Sequence, residues 1–379
     1  MRKKICFIVA VPGTAHAFLR DHISALAKEY DVYLVGDIKN DEEVKGLSLT
    51  GWHRIEIRRT VSIWHDLKAV SAARKYFKEM EFDAVHSVTP KAGLITALAG
   101  KMAHIKYRTH IFTGQVWCTR KGFVRTMLKT IDKLIAKWDN HILVDGKSQR
   151  AFLVGEGVLR EGQAMVFGHG SISGVNSQRF VPNQEARQAI RKEIGIQDNV
   201  VCYIFLGRLN HDKGIGELYE AYNRLAGELE DVFLLLVGSD EEGYIAKLQR
   251  FENIVPGKNF HYYGITREPE KVLTAGDVFT LPTYREGFGT SVLEAASVGL
   301  PSITSDAYGV LDAVVEGETG LRCKVGDVDS LYECMKQMYD NPEMRRQMGE
   351  KSRQRVLCDF NGAQLTKYWI EYYNSLFQD

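Results

Sequence analysis

Short apolar runs alternate with amphipathic stretches along nearly the whole chain. In the first half the runs are KICFIVAV, DVYLVG, WHRIEIR, FDAVHSV, IKYRTHIF and HILVDG. The alternation resumes in the second half with NVVCYIFLG, DVFLLLVG, NFHYYG, DVFTLP and PSITS. Runs that are mostly apolar are typical of strands in a parallel sheet, because helices cover both of its faces. The pattern therefore predicts an α/β fold of doubly wound, Rossmann-like sheets.

This alternation of apolar and amphipathic stretches is interrupted at the Gly- and Ser-rich segment GHGSISGVNSQRFVPN. A chain of 379 residues is long enough for two domains. We expect a first domain over 1–170, a linker over 171–183, a second domain over 184–360, and a C-terminal helix over 361–379 that returns toward the first domain. Parallel sheets bind ligands at the carboxyl ends of their strands, so the expected site is a cleft between the domains.

Composition narrows the class of protein. The apolar runs are too short to span a bilayer, and the run after MRKK fits a first strand better than a signal peptide. The six cysteines are scattered without a CxxC pair, which favours a reducing compartment over disulfides or structural zinc. Residues 1–168 contain 27 Lys and Arg against 17 Asp and Glu. We therefore expect the first half to face something anionic.

The stretch 281–300, LPTYREGFGTSVLEAASVGL, predicts a buried strand, a polar Gly-rich turn and a helix. Glu286 lies in the turn, and Glu294 lies about one turn into the helix. Unpaired N–H groups and the helix dipole suit a phosphate, and a carboxylate can accept hydrogen bonds from two sugar hydroxyls. The stretch therefore suits a nucleotide sugar. The plain alternative is two solvated glutamates around a structural turn.

A second polar loop, in FLGRLNHDKG, lies between a predicted strand and a predicted helix. Arg208 and Lys213 stand five residues apart in this loop. Two cations beside a helix N-terminus suit a diphosphate. The alternative is ordinary surface charge on a connecting loop.

Taken together, GRLNHDKG and EGFGTSVLEA resemble the family-4 glycosyltransferases of the GT-B fold, in which two glutamates are separated by seven residues. The resemblance extends over most of the chain and is most specific over 205–320. It implies two Rossmann-like domains with an interdomain cleft, and transfer of a sugar with retention of anomeric configuration. Within the family, the chain is most similar to bacterial capsule, O-antigen and other surface-polysaccharide enzymes that use lipid-linked acceptors.

The resemblance also implies roles for matching residues. Arg208 and Lys213 would hold the donor diphosphate, Glu294 the ribose, and Glu286 the transferred sugar or the positive charge at its anomeric carbon. His110, in RTHIFTG, matches a catalytic histidine that points into the cleft; the alternative is a satisfied histidine at a strand end. Further donor contacts are implied for backbone groups at Gly13, Gly287, Phe288, Gly289 and Thr290.

The stretch QVWCTRKGFVRTMLKTIDKLIAKW predicts a basic amphipathic helix near 121–139. This pattern is typical of a helix at a membrane surface, although a domain helix with solvated lysines fits equally well. The aromatic residues do not alternate with the basic ones as stacking platforms would, so nucleic acid is not expected. The residues predicted to face an anionic membrane are Arg120, Lys121, Arg125, Lys129 and Lys133.

Asp327 and Asp329 resemble a DxD metal motif of a different transferase fold. Because they open a predicted helix, we interpret Asp327 as an N-cap and expect no metal and no cofactor.

The sequence therefore favours a retaining glycosyltransferase that moves a hexose or an N-acetylhexosamine from a UDP-sugar to a polyprenyl-diphosphate-linked saccharide. The uridine rests on the resemblance alone. The expected location is cytoplasmic, peripheral at the inner face of the cytoplasmic membrane. The alternatives are a GT-B transferase with a soluble acceptor, a nucleotide-sugar epimerase, and a non-catalytic binding subunit.

Overall fold

The computed structural model describes residues 2–58 and 62–378. The chain forms two units, one comprising Met1–Ser173 and Gly362–Asp379 and the other Gly174–Asn361. The segment predicted as a linker, 171–183, is shared between them. Ile172 is buried in the core of the first unit, whereas Val175 and Phe180 are buried in the core of the second.

The first unit is built around a parallel sheet, because its apolar runs form strands and the stretches between them form helices. Among the described residues the sheet has seven strands, in the order β3-β2-β1-β4-β5-β6-β7. The strands are β1 (Lys4–Ile8), β2 (Asp31–Gly36), β3 (Gly51–Arg54), β4 (Ala84–Val88), β5 (Tyr107–Phe112), β6 (His141–Val144) and β7 (Ala164–Met165).

Helices cover both faces of this sheet. They are α1 (Pro12–Phe18), α2 (Arg20–Leu26), α3 (Ile63–Met80), α4 (Pro90–Ala103), α5 (Gly122–Trp138) and α6 (Lys147–Gly155), with 3-10 turns at Asp41–Val44 and Val116–Thr119. The amphipathic stretch HAFLRDHISALAKEY contributes to both α1 and α2. These helices meet at Leu19, where φ −120° and ψ −7° depart from ideal helical values and the side chain is buried.

The second unit repeats the architecture with a six-stranded parallel sheet over its described residues, in the order β10-β9-β8-β11-β12-β13. The strands are β8 (Val201–Leu206), β9 (Val232–Val237), β10 (Phe260–Gly264), β11 (Val278–Leu281), β12 (Ser302–Ser305) and β13 (Gly320–Cys323). The short strand β13 was not anticipated, because its GLRC sequence has no extended apolar run.

The helices of the second unit include two long ones near its C-terminal end. They are α7 (Gln184–Ile194), α8 (Ile215–Glu228), α9 (Tyr244–Lys247), α10 (Pro269–Leu273), α11 (Thr290–Ser297), α12 (Val328–Asp340) and α13 (Pro342–Asp359), with 3-10 turns at His211–Lys213 and Leu248–Arg250. The stretch EEGYIAKLQRF forms only α9 and a 3-10 turn. The Asp240 carboxylate accepts hydrogen bonds from the Tyr244 and Ile245 amides and thereby starts the helix late.

The last helix, α14 (Gly362–Gln378), packs on the first unit. Trp369 is buried there between the rings of His22 and His86, with centroid separations of 5.0 and 5.1 Å. Its indole N–H donates to the Ile172 carbonyl oxygen at 3.0 Å. Within residues 2–58 and 62–378, no helix is both long and apolar enough to cross a bilayer.

Candidate active site

The loop that follows β8 meets the turn that follows β11. Because these strands are neighbours and parallel, both connections leave the same edge of the sheet. Gly214, which ends the first connection with φ +71°, lies so close to the Pro282 carbonyl oxygen that a Cβ atom there would overlap it. Glycine is therefore required at this approach. The fold brings the two motifs found in the sequence together.

Asp212 anchors this contact from the β8 side. Its carbonyl oxygen accepts hydrogen bonds from the Thr283 hydroxyl and the Tyr284 amide, both at 2.8 Å. Its carboxylate accepts two more from Arg285, from Nε at 2.9 Å and from Nη2 at 2.7 Å. The loop and the turn are thus joined by backbone bonds and by a largely buried ion pair.

Lys213 and Glu286 lie beside this anchor and contact each other. The Lys213 ammonium is paired with Glu286 Oε1, and both side chains are mostly buried. The sequence separated the roles of these residues, assigning one to a diphosphate and the other to a sugar. The structure makes them an ion pair at one edge of the sheet. A buried cation held by a single carboxylate retains two donors that a phosphate oxygen could accept.

Arg208, the other predicted diphosphate ligand, has a different partner. Its guanidinium lies 3.1 Å from Glu241 Oε2, which also accepts a hydrogen bond from Asn210 at 3.0 Å. The pair is half exposed, so Arg208 can exchange Glu241 for a ligand at modest cost. The sequence analysis did not identify Glu241. Its signal was available, since the acidic segment SDEEG directly follows β9.

The helix α11 begins at Thr290, and Gly289 precedes it with φ +84°. No side chain caps this N-terminus. Its first amide groups are therefore suited to an anionic ligand. The Phe288 side chain is buried against Phe360, with ring centroids 5.2 Å apart, so only its backbone could contact a ligand. Gly287 lies on the same turn, where its carbonyl oxygen closely approaches Gly309.

Glu294 lies on α11, as the spacing predicted. Burial raises the pKa of its carboxyl group to about 7, while Arg179 lowers the pKa and Glu270 raises it. Arg179 is itself paired with Glu270 at 2.8 Å. A carboxyl group with a pKa raised by burial is typical of functional sites, and such groups also occur in structural ion-pair networks.

His110 and Gly13 lie in the first unit. Gly13 follows β1 in the first turn of α1, and a Cβ atom there would meet nothing within 4 Å, so local packing does not require glycine. His110 was expected to point into a cleft. It is instead completely buried on β5, where its Nδ1 lies 2.8 Å from the Ser87 hydroxyl and its Nε2 has no partner. Burial lowers its pKa to about 3, so the ring is neutral.

The basic helix α5 is only partly as expected. Arg120, Lys121 and Lys133 are exposed. The prediction that Arg125 and Lys129 face a membrane is not supported by their contacts, because both are bonded to Glu156, at 2.8 and 2.6 Å. Both cations also lie over a buried tryptophan ring, which positions them within the unit.

That tryptophan, Trp117, lies in the 3-10 turn before α5. It is buried, and its indole N–H donates to Asp132 at 2.7 Å. Burial raises the pKa of the Asp132 carboxyl group to about 7. The hydrogen bond therefore joins the 3-10 turn before α5 to the C-terminal half of that helix.

Asp327 caps α12, as the sequence analysis predicted. Its carboxylate accepts a hydrogen bond from the Ser330 amide at 2.9 Å. Asp329 pairs with Arg224 at 3.0 Å. Over the described residues, no group of three or more His, Cys, Asp or Glu side chains could hold a metal ion.

The chain is similar to a known protein family and to several known proteins. Residues 186–355 match the profile of the family described as glycosyl transferases group 1. The chain is 27% identical to the capsular polysaccharide biosynthesis glycosyltransferase CapM of Staphylococcus aureus, over 100% of this chain and 99% of that protein. It is 27% identical, over 75% and 74% of the two chains, to a Campylobacter jejuni N,N'-diacetylbacillosaminyl-diphospho-undecaprenol alpha-1,3-N-acetylgalactosaminyltransferase.

The fold is also found in solved structures. The crystal structure of Anabaena Alr3699/HepE in complex with UDP and glucose superposes with a TM-score of 0.83 at 17% identity, covering 99% of this chain and 100% of that one. Together with the two parallel-sheet units, these findings define the chain as a glycosyltransferase of the GT-B fold. The match to the model of the glycosyl transferases group 1 lies within the second unit.

Proposed function

We propose that this protein is a retaining, family-4 glycosyltransferase that moves a hexose or an N-acetylhexosamine from a UDP-sugar to a polyprenyl-diphosphate-linked saccharide. The proposal rests chiefly on the contact between Lys213 and Glu286, beside the uncapped N-terminus of α11. A cation, a carboxylate and free amides at one strand edge match the diphosphate and hydroxyls of a nucleotide sugar.

The reaction requires positively charged protein groups beside the leaving diphosphate. As the bond from the anomeric carbon to the diphosphate breaks, negative charge grows on the departing oxygen. Lys213, Arg208 and the amides at Gly289 and Thr290 would stabilise that charge without a metal. Arg208 would do so by exchanging Glu241 for the diphosphate.

Glu286 and Glu294 would act on the sugars. Glu294 would accept hydrogen bonds from the ribose hydroxyls, and Glu286 would face the transferred sugar. The acceptor hydroxyl would attack the face that the diphosphate leaves, and its proton would pass to the departing phosphate oxygen. The products would be the extended saccharide, with its configuration retained, and the nucleoside diphosphate. The roles of His110 and Gly13 in the first unit stay predictions.

The acceptor assignment is supported by the relatives. The similar C. jejuni protein and an Escherichia coli galactosyltransferase, 23% identical over 80% of this chain, are both named for acceptors joined to undecaprenol through a diphosphate. The structures of Anabaena HepE with UDP and with UDP-glucose support uridine as the base. An enzyme with a lipid-linked acceptor has to act at a membrane surface. The exposed Arg120, Lys121 and Lys133 are available for anionic lipid.

The donor is tested first, by calorimetry with UDP-, GDP- and ADP-sugars in a chelator. We expect a UDP-sugar to bind, and Lys213→Ala to lower its affinity by roughly tenfold or more, the scale of a lost charge-assisted hydrogen bond. Lys258→Ala, which removes an exposed lysine before β10, is the matched control and should change nothing. Binding of GDP-sugars alone would refute the uridine assignment, and a chelator-sensitive site would refute metal independence.

The acceptor is tested by radiolabel transfer. Label should move into a polyprenyl-diphosphate saccharide and should depend on Glu286. Transfer only to a soluble sugar phosphate or alcohol would identify the soluble-acceptor transferase, and interconversion of donors without an acceptor would identify an epimerase. Donor binding with no transfer or donor hydrolysis would identify a non-catalytic binding subunit.

A further inference from the structure

Large apolar side chains are exposed at the first turns of two helices in the first unit. At the start of α3, Ile63 and Trp64 are 71% and 79% exposed, and Leu67 follows one turn later. At the start of α5, Phe123 is 81% exposed and Val124 lies beside it. Single exposed apolar residues are ordinary, but five at two helix starts indicate a surface with a partner.

The topology places both helix starts at one edge of the unit. The helices α3, α4 and α5 each lead into the strands β4, β5 and β6, which are parallel. All three helices therefore begin at the carboxyl edge of the sheet, and α4 packs between the other two. Lys91, in the first turn of α4, pairs with Asp66 of α3 at 2.9 Å and joins the helix starts. The apolar side chains of α3 and α5 therefore lie on the two sides of α4 at this edge.

Among the described residues, the acidic side chains near this apolar edge are paired: Glu56 with Arg58 and Asp66 with Lys91. Arg120 and Lys121 are exposed directly before Phe123, and Lys68 is exposed directly after Leu67. Asp66, the nearest acidic residue of α3, is neutralised by Lys91. Apolar side chains rimmed by unneutralised cations complement the anionic headgroups and the acyl boundary of a lipid bilayer.

We propose that the first turns of α3 and α5 form one bilayer-docking surface, in which Trp64 and Phe123 insert below the headgroups and Arg120, Lys121 and Lys68 bind anionic lipid. This surface keeps Arg120 and Lys121 from the predicted membrane-facing set but leaves out Arg125 and Lys129, which are paired with Glu156. The inference deepens the proposed function, because a lipid-linked acceptor has to be met at a membrane. Burial of apolar side chains and attraction of the cations to anionic lipid would both strengthen the attachment.

The test uses the full chain and vesicles of phosphatidylcholine, with and without phosphatidylglycerol, in a flotation assay. We expect wild type to bind the anionic vesicles, and Trp64→Ser/Phe123→Ser to bind at least tenfold more weakly. Ile265→Ser is the matched control, since Ile265 is 79% exposed on the second unit. Arg120→Glu/Lys121→Glu should remove the preference for phosphatidylglycerol and the dependence on salt.

A second measurement reports insertion directly. Brominated lipids should quench tryptophan fluorescence in wild type, and the quenching should be lost in Trp64→Phe although four other tryptophans remain. Unchanged flotation of the double serine variant would overturn the proposal. So would concentration-dependent dimerisation abolished by the same variant, which would make this edge a contact between two copies.

The outcome is independent of the donor site. Calorimetric binding of a nucleotide sugar should be equal in wild type and in the double serine variant. If no nucleotide sugar binds while flotation behaves as expected, the proposed function fails and the docking surface stands. If donor binding is normal and flotation ignores the substitutions, the docking surface fails alone.

Discussion

Arg285 and Asp212 form a largely buried ion pair that joins the loop after β8 to the turn after β11. Two guanidinium nitrogens, Nε and Nη2, donate to one carboxylate oxygen, Asp212 Oδ2, at 2.9 and 2.7 Å. Lys213 follows Asp212 and Glu286 follows Arg285 along the chain, and Lys213 and Glu286 contact each other. The Arg285–Asp212 pair therefore sets the distance between the groups proposed to bind the donor, although it need not touch the donor itself.

We expect Asp212→Ala and Arg285→Ala each to lower kcat/KM by roughly 10- to 100-fold, because small misplacements of binding groups have effects of that size. The exchanged pair, Asp212→Arg/Arg285→Asp, should recover part of the loss. Steady-state kinetics measure this, and thermal unfolding shows whether each variant is folded. Arg224→Ala, which breaks the exposed pair with Asp329, is the control. Folded single variants with full activity would show that the pair only stabilises the fold.

Glu294 predicts a pH dependence of stability. Its pKa is about 7 in the folded chain against an ordinary value of 4.5, so the folded state holds a proton that the unfolded state releases between those values. The contribution is fully present below the unfolded pKa and is lost as pH rises toward 7, by about 3 kcal/mol at most. Urea unfolding of wild type and Glu294→Gln should diverge across this window. Parallel curves would show that Glu294 titrates normally.

The same titration should affect donor binding. The ionised Glu294 carboxylate accepts hydrogen bonds from two hydroxyls, whereas the protonated group accepts fewer. Affinity for UDP-glucose should therefore rise by about tenfold as pH increases through 7, and Glu294→Gln should bind weakly at every pH. UDP-glucose is the suitable probe, because its substituted diphosphate does not titrate here. An equal pH dependence in the variant would assign the effect to another group.

A substitution at Gly93 tests how tightly the protein packs around His110. A Cβ atom at Gly93, within α4, would overlap the His110 ring. Ala normally stabilises a helix interior by up to about 1 kcal/mol relative to Gly, but overlap should make Gly93→Ala destabilising by about 1–3 kcal/mol. Gly216→Ala in α8 is the control, because nothing lies within 4 Å of its Cβ position. Denaturant unfolding compares the two. A stabilised Gly93→Ala would mean that His110 moves aside easily.

The C-terminal helix α14 should contribute strongly to the stability of the first unit. Trp369→Ala should destabilise the first unit by about 3–5 kcal/mol, the usual loss for a buried Trp. Glu371→Ala removes an exposed side chain from the same helix and should change the free energy of unfolding by less than about 0.5 kcal/mol. Thermal unfolding with near-UV circular dichroism reports the difference. Equal effects of the two substitutions would contradict the packing of α14 on this unit.

Several features could be predicted from local sequence because they depend on local physics. Mostly apolar runs alternating with amphipathic stretches indicated two parallel sheets, and the structure confirms them. The DVDS sequence indicated that Asp327 caps α12, and its carboxylate does so. The spacing of Glu286 and Glu294 placed one glutamate in the turn and the other on the helix. Each follows from residues within about one or two turns of one another.

Other features could not be predicted, because they depend on which distant segments meet. His110 resembles a cleft histidine in sequence but is buried beneath α4, where Gly93 leaves room for its ring. Arg125 and Lys129 look solvated at helical spacing, yet both bind Glu156 from another element. The partner of Arg208, Glu241, comes from the loop after the neighbouring strand.

The sequence by itself determined the fold class, the order of most of the strands and the two segments proposed to bind the donor, because hydrophobic periodicity, turn residues and charge act over short stretches of chain. Only the tertiary structure decided how charges are paired. Asp212 meets Arg285 and Lys213 meets Glu286 across more than 70 residues of sequence, because β8 and β11 are adjacent in one sheet. Pairing of this kind is set by strand order, and strand order is a property of the assembled sheet.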